Sequence, residues 1–96
     1  MLTSKQRAYL RAQANGMEVI LHAGKGEISA AMIKQADDAL TARELIKGRV
    51  LETAPASPRE TAQAIADAVN AELVHVMGRT FVLYRRSKEE IYHLPV

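Results

Sequence analysis

The chain has 96 residues, which is enough for one compact domain and too few for two independent hydrophobic cores. Apolar residues make up 48% and charged residues 25%, a composition that excludes wholesale disorder. Lys and Arg outnumber Asp and Glu by 13 to 11, and this net charge of +2 leaves the kind of partner open.

Features that the sequence lacks indicate the cellular compartment of the protein. The sequence has no cysteine, which excludes a disulfide framework, a thiolate metal site and a cysteine nucleophile. No apolar run approaches the roughly 18 residues that a membrane span needs, and the first residues lack the basic-then-apolar pattern of a secretory signal. We therefore expect a soluble cytoplasmic protein that makes no membrane contact.

The first predicted helix begins after Thr3. Thr3 as N-cap and Gln6 at the third helical position match a capping box, and Asn15-Gly16 is typical of a helix end. Residues 17–22, Met-Glu-Val-Ile-Leu-His, then predict a short buried strand, and the next five residues predict a loop.

The second helix is predicted from Ser29 to about Ala42, because apolar residues recur there at helical spacing. Residues 44–51 predict a strand with two different faces. Lys47 and Arg49 project from one of these faces because side chains alternate along a strand.

The third helix has the sharpest predicted start in the chain. Residues 57–60, Ser-Pro-Arg-Glu, combine an N-cap, a proline at the first helical position and a capping-box glutamate, and the helix extends to about Asn70. Two strands at 72–77 and 80–85, joined by a two-residue turn, close the domain. We expect residues 87–96 to form a loosely attached tail.

The predicted order of elements is α-β-α-β-α-β-β, without internal repeats or linkers. Strand–helix–strand connections favour parallel pairing, whereas the closing hairpin is antiparallel. We therefore expect a single α/β domain over residues 1–96, with helices packed on a four-stranded mixed sheet.

Side chains that support catalysis or metal binding do not form a recognisable group. His22, His75 and His93 lack the short spacing of metal ligands. Asp37 and Asp38 are adjacent, and adjacent helical side chains diverge by about 100°. No serine has the context of a nucleophile elbow. We expect a protein that is not an enzyme and that needs no cofactor.

Glycine and basic residues instead indicate a polyanionic partner. Gly24-Lys25-Gly26 connects a strand to a helix, where backbone N–H groups can hold an anionic oxygen; a plain connecting turn is the alternative. Tyr84 is the candidate ring for stacking on an unpaired base. The candidates for phosphate contact are Lys25, Lys47, Arg49, Arg79 and Arg85, with Arg7 and Arg11 as extensions. Ordinary surface charge is the alternative for this set.

Four blocks of sequence, at residues 2–7, 24–29, 43–47 and 78–85, carry a resemblance to a known family. They read Leu-Thr-Ser-Lys-Gln-Arg, Gly-Lys-Gly-Glu-Ile-Ser, Arg-Glu-Leu-Ile-Lys and Gly-Arg-Thr-Phe-Val-Leu-Tyr-Arg. In this order they resemble the YhbY-like group of CRM (chloroplast RNA splicing and ribosome maturation) domains, in its bacterial stand-alone form.

The resemblance implies a compact α/β domain similar to the C-terminal domain of translation initiation factor three. It also implies RNA binding, association with precursors of the large ribosomal subunit, and a Gly-x-x-Gly loop like that of KH domains. This sequence departs from the loop pattern, because Glu27 stands at the fourth position of a motif that begins at Gly24, and a carboxylate repels phosphate.

The function we expect is non-catalytic binding of a monomer to structured RNA, with large-subunit ribosomal RNA or its precursor particle as the partner. An adaptor that meets the ribosome or an assembly factor through protein contacts is the alternative. An RNA-processing enzyme is least favoured, since the sequence offers neither a general base nor a metal cluster for it.

Overall fold

The computed structural model describes residues 2–23, 29–52, 57–88 and 91–95. It confirms the predicted order of elements, which are α1 Ser4–Ala14, β1 Leu21–Ala23, α2 Ala30–Arg43, β2 Leu45–Val50, α3 Pro58–Ala68, β3 Glu72–Met77 and β4 Thr80–Tyr84. None of the helices in these ranges has the length and apolar character required to cross a membrane.

The helix starts follow the predicted caps. The Thr3 hydroxyl accepts a hydrogen bond from the Gln6 backbone N–H at 3.1 Å, and the Gln6 side chain accepts one from the Thr3 N–H at 3.0 Å. At α3, the Ser57 hydroxyl accepts from the Glu60 N–H at 3.2 Å. α1 ends at the predicted Asn15-Gly16, with Asn15 as its C-cap, but Asn15 is right-handed and Gly16 does not adopt a positive φ.

The four strands form one mixed sheet in the order β1-β2-β4-β3. β1 is parallel to β2, and the two remaining pairs are antiparallel. β1 is shorter than the predicted strand and begins four residues later, because only Leu21–Ala23 align with β2, at residues 48–50. Gly78, at φ 59°, supplies the positive φ that a two-residue hairpin turn requires.

Helices cover the two faces of the sheet unequally. α2 and α3 pack on one face, over a core that includes Leu40, Ile65 and Phe81. On the opposite face, α1 packs on β2, β3 and β4 over a second core that includes Leu10 and Leu45. The domain therefore has three layers, and the sheet contributes apolar side chains to both cores.

The C-terminal segment differs from the prediction of a loosely attached tail. The buried carboxylate of Glu44 accepts hydrogen bonds from the Ser87 hydroxyl at 2.7 Å and from the backbone N–H groups of Ile91 and Tyr92 at 2.8 and 3.3 Å. Tyr92 and Leu94 also pack against the second core. The described part of this segment is thus held on the α1 face of the sheet.

Candidate nucleic-acid interface

A strongly basic surface lies on the face of the sheet that α1 covers, beyond the end of α1. Leu45 packs in the core beneath α1, so the alternation of side chains along β2 places Lys47 and Arg49 on the same face. His22 of β1 is paired with Arg49 and therefore shares that face. We call the surface formed by Arg11, His22, Lys47 and Arg49 the basic face.

The cations of the basic face are largely available to a ligand. The Lys47 ammonium donates one hydrogen bond, at 3.4 Å, to the Ala14 carbonyl at the end of α1, and an ammonium has two further N–H groups. Arg11 and Arg49 are exposed. Among the described residues neither forms an ion pair.

A cleft of about 110 Å³ adjoins this face, between the end of α1 and the sheet. It is lined by Arg11, Ala14, Asn15, Lys47, His75, Met77, Thr80 and Val82. Ala14 and Val82 are buried, and they give the cleft an apolar floor, while Arg11 and Lys47 contribute positive charge.

His75 is the unusual residue of the cleft. Its Nε2 atom is buried, and no partner for it occurs in the described part of the chain. Burial lowers the pKa of the imidazole below its ordinary value, and the positive charges of Arg11 and Arg59 lower it further. The ring is therefore neutral at pH 7.

Arg79 lies at the end of the sheet, next to the basic face. Its Nε donates to the Val50 carbonyl at 2.9 Å and its Nη2 to the Leu51 carbonyl at 2.8 Å, so the side chain extends the pairing of β2. Ala23 pairs with Val50 at this same end. Gly24, Lys25, Gly26 and Glu27, which follow Ala23, lie outside the described residues.

Arg7 and Arg85 are engaged by the fold. Nη1 of Arg7 donates to the carbonyls of Leu73 and Val74, where the register of β3 shifts. Arg85 donates to Asp37 at 2.6 Å and to the Val69 carbonyl at 2.8 Å. These contacts hold Arg85 on the α2 and α3 side of the sheet, away from Lys47 and Arg49.

The structure corrects the expectation that Tyr84 stacks on an unpaired base. Its side chain is only 5% exposed, because β4 points it into the second core beside Leu10 and Leu45. Its hydroxyl donates to the Glu44 carboxylate at 3.1 Å. The ring consequently offers no free face to a base.

The cleft also contains four residues that the sequence did not mark as site residues, Asn15, His75, Met77 and Thr80. His75, Met77 and Thr80 come from β3 and β4 and are brought together by strand pairing, which aligns Thr80 with both Arg49 and Met77, whereas Asn15 is the C-cap of α1. His75 reaches this face through the irregular register between residues 73 and 75. No local sequence pattern marks such a bulge in advance.

One family model and two known proteins match most of this chain. The family model for the CRS1 / YhbY (CRM) domain matches residues 2–85. "Probable RNA-binding protein YqeI" of Bacillus subtilis (strain 168) is 43% identical over 89 residues, covering 93% of this chain and 93% of that protein. "RNA-binding protein" of Haemophilus influenzae is 31% identical over 98 residues, covering 98% of this chain and 95% of that protein.

Two further relatives extend the comparison. "Probable RNA-binding protein MJ0652" of Methanocaldococcus jannaschii is 38% identical over 86 residues, which cover 88% of this chain and 63% of that protein. The solution structure of SAV1595 from Staphylococcus aureus superimposes with a TM-score of 0.81 at 44% identity, covering 99% of this chain and 100% of the other. The α/β fold described above is therefore shared with an experimentally determined structure.

Proposed function

Because this chain belongs to the CRS1/YhbY (CRM) domain family, we propose that it is an RNA-binding protein that holds structured RNA without catalysis. We further propose that it acts as a cytoplasmic monomer in maturation of the large ribosomal subunit, on large-subunit ribosomal RNA or its precursor particle. Relatives that match most of this chain are named as RNA-binding proteins, which supports the general function.

One observation carries the proposal: Lys47 and Arg49 lie on the part of the sheet that α1 leaves uncovered, and Arg11 in the last turn of α1 lines the same cleft as Lys47. A phosphate backbone can approach this face without displacing a helix. Contacts between cations and phosphates supply affinity and position the protein, but they carry no sequence information. Specificity would then come from the shape of the RNA or from a few unpaired bases.

The proposed interface continues toward the end of the sheet. Arg79 uses two of its five N–H groups within the fold, which leaves three for a phosphate. Lys25 would add a further cation, and Gly24 and Gly26 would permit close approach of the backbone. We do not include Arg7, Arg85 or Tyr84, because the fold already uses these side chains.

The direct test reverses the charge of the basic face. We expect the Lys47→Glu, Arg49→Glu double variant to bind transcribed large-subunit ribosomal RNA at least about tenfold more weakly. The slope of log Kd against the logarithm of the salt concentration should also fall by roughly two. Fluorescence anisotropy titrations at several salt concentrations give both quantities.

The matched control is Lys34→Glu with Arg43→Glu. Both side chains are exposed on α2, on the other side of the sheet, and the change in net charge is the same. Equal losses of affinity in the two double variants would contradict the proposed surface. Wild-type protein that binds naked RNA only weakly, yet associates with the precursor particle, would favour the adaptor function.

The ribosomal role needs a separate experiment in cells. Ultraviolet crosslinking of the protein to RNA, followed by sequencing of the attached fragments, maps the bound RNA directly. We expect sites clustered in precursors of the large-subunit RNA. An even scatter of sites over cellular RNA would contradict the maturation role while leaving RNA binding intact.

A further inference from the structure

The cleft at the end of α1 has the size of a site for one flat ring. Its volume is about 110 Å³, and its floor is formed by the buried side chains of Ala14 and Val82. For comparison, an engineered apolar cavity of about 150 Å³ accommodates a benzene molecule. Met77, whose side chain is 65% exposed, stands at the rim and can cover a ring that enters.

The charges around the cleft favour an anionic ligand. Arg11 and Lys47 both line it, and the lining contains no acidic residue. The carbonyl end of a helix is partly negative, but the Lys47 ammonium sits 3.4 Å from the Ala14 carbonyl and offsets this charge. Arg49 follows Lys47 on the same face of β2 and extends the positive surface toward the end of the sheet.

His75 supplies a ring nitrogen, Nε2, that can form a hydrogen bond with the edge of a base. Its buried Nε2 has no hydrogen-bond partner in the described part of the chain, and a buried polar atom in this state is unfavourable. A neutral imidazole nitrogen donates or accepts according to its tautomer. Once the His75 side chain turns this atom toward the cleft that it lines, it can pair with either kind of group on a base edge.

From these features we propose that the cleft holds one unpaired nucleotide of the bound RNA. Its base lies on the Ala14 and Val82 floor, its edge meets His75, and its flanking phosphates contact Arg11 and Lys47. This inference rests on the proposed RNA-binding function and deepens it. The preferred RNA contains a looped-out nucleotide, because a base within a duplex is stacked and cannot enter.

The test uses three hairpin RNAs with one common duplex: one with a single bulged nucleotide, one with an abasic bulge, and one fully paired. We expect the wild-type protein to bind the bulged hairpin about tenfold more tightly than the abasic one, in line with the contribution of one stacked base. The abasic and fully paired hairpins should bind nearly alike. Anisotropy titrations at a single salt concentration measure all three.

The outcomes separate this inference from the function on which it rests. Equal, tight binding of all three hairpins would overturn the nucleotide site and leave RNA binding standing. Failure to bind any of them would count against both. An acidic peptide that competes as well as the bulged hairpin at equal charge would also overturn the site, since the cleft would then recognise charge alone.

Two variants test the cleft residues themselves. Met77→Ala should reduce the tenfold preference for the bulged hairpin to about twofold without weakening binding to the paired one, since only the base contact is lost. The control is Leu51→Ala, which removes an exposed apolar side chain outside the cleft. His75→Phe should keep the preference for a bulge but abolish discrimination among the four bases. A preference unchanged in Met77→Ala would contradict the site, and thermal unfolding monitors the fold of each variant.

Discussion

Gly48 shows how one small residue permits the packing of a large one. It lies opposite Phe81 in the antiparallel pairing of β2 with β4, on the face covered by α2 and α3. A Cβ atom at this position would lie 2.2 Å from Cζ of the Phe81 ring. The ring, which is fully buried, therefore occupies the space that any other residue at position 48 would need.

We expect Gly48→Ala to destabilise the domain by about 1–3 kcal/mol, because the Phe81 ring must shift within a packed core. Urea unfolding measures the change. Gly16→Ala is the control, since a Cβ there meets nothing within 4 Å and the backbone is not left-handed. Similar free energies of unfolding for the two variants would show that the contact with Phe81 is not the cause.

At the scale of elements, Glu44 connects the end of α2 to the C-terminal segment. It is the C-cap of α2 and adopts φ 72°, a conformation that favours glycine over other residues. Its carboxylate is fully buried and accepts hydrogen bonds from the Tyr84 and Ser87 hydroxyls and from the backbone of Ile91 and Tyr92. A glycine would fit the backbone but would leave these donors without an acceptor.

We expect Glu44→Gln to destabilise the protein by about 2–3 kcal/mol at pH 7, because a neutral amide replaces a charged acceptor of several hydrogen bonds. Burial raises the pKa of Glu44, but the hydrogen bonds from Ser87, Ile91, Tyr92 and Tyr84 outweigh it, and the pKa lies below the ordinary value of 4.5. The carboxylate therefore stabilises the fold fully above about pH 4.5, and this contribution is lost as the pH falls through the lowered pKa.

Urea unfolding of both proteins between pH 3 and pH 7 checks this prediction. The difference in unfolding free energy between the wild type and Glu44→Gln should be largest near neutral pH and should shrink in acid. A difference that stays constant over the range would mean that the charge of Glu44 is not what holds the C-terminal segment.

The elements differ in how far local sequence determines them. The starts of α1 and α3 were predicted correctly, because Thr3 and Ser57 satisfy backbone N–H groups only three residues away. The extent of β1 was not, because only Leu21–Ala23 pair with β2 although β2 itself begins three residues earlier, at Leu45. The attachment of the C-terminal segment was also missed, since it depends on Glu44, more than 40 residues earlier in the chain.

At the scale of the whole molecule, the sheet separates basic residues that the sequence groups together. Arg49 is exposed on the α1 face, whereas Arg85 is held on the opposite side by Asp37, Thr41 and the Val69 carbonyl. Residues with the same charge thus have different roles: Arg49 is open to a polyanion, whereas Arg85 connects α2 and the end of α3 to the last strand.

A pair of matched variants tests this separation. Arg85→Met should lower the free energy of unfolding by about 1–3 kcal/mol, since the part-buried Val69 carbonyl and the Asp37 carboxylate lose their donor, and should leave RNA affinity unchanged. Arg49→Met should change stability by no more than about 0.5 kcal/mol and weaken RNA binding. Urea unfolding and anisotropy on the same preparations provide both readouts. Weaker RNA binding in a folded Arg85→Met protein would contradict the proposed division.

The sequence by itself determined the order of the elements, the mixed sheet, the caps of two helices and the presence of Lys47 and Arg49 on one face of a strand. These features depend on periodicity and on contacts a few residues apart, so they can be recognised locally. Only the tertiary structure decided that Tyr84 is buried, that Arg85 lies across the sheet, and that His75 and Met77 join Arg11 in a cleft. The reason is that strand register and helix length set these positions, and both depend on distant parts of the chain packing together.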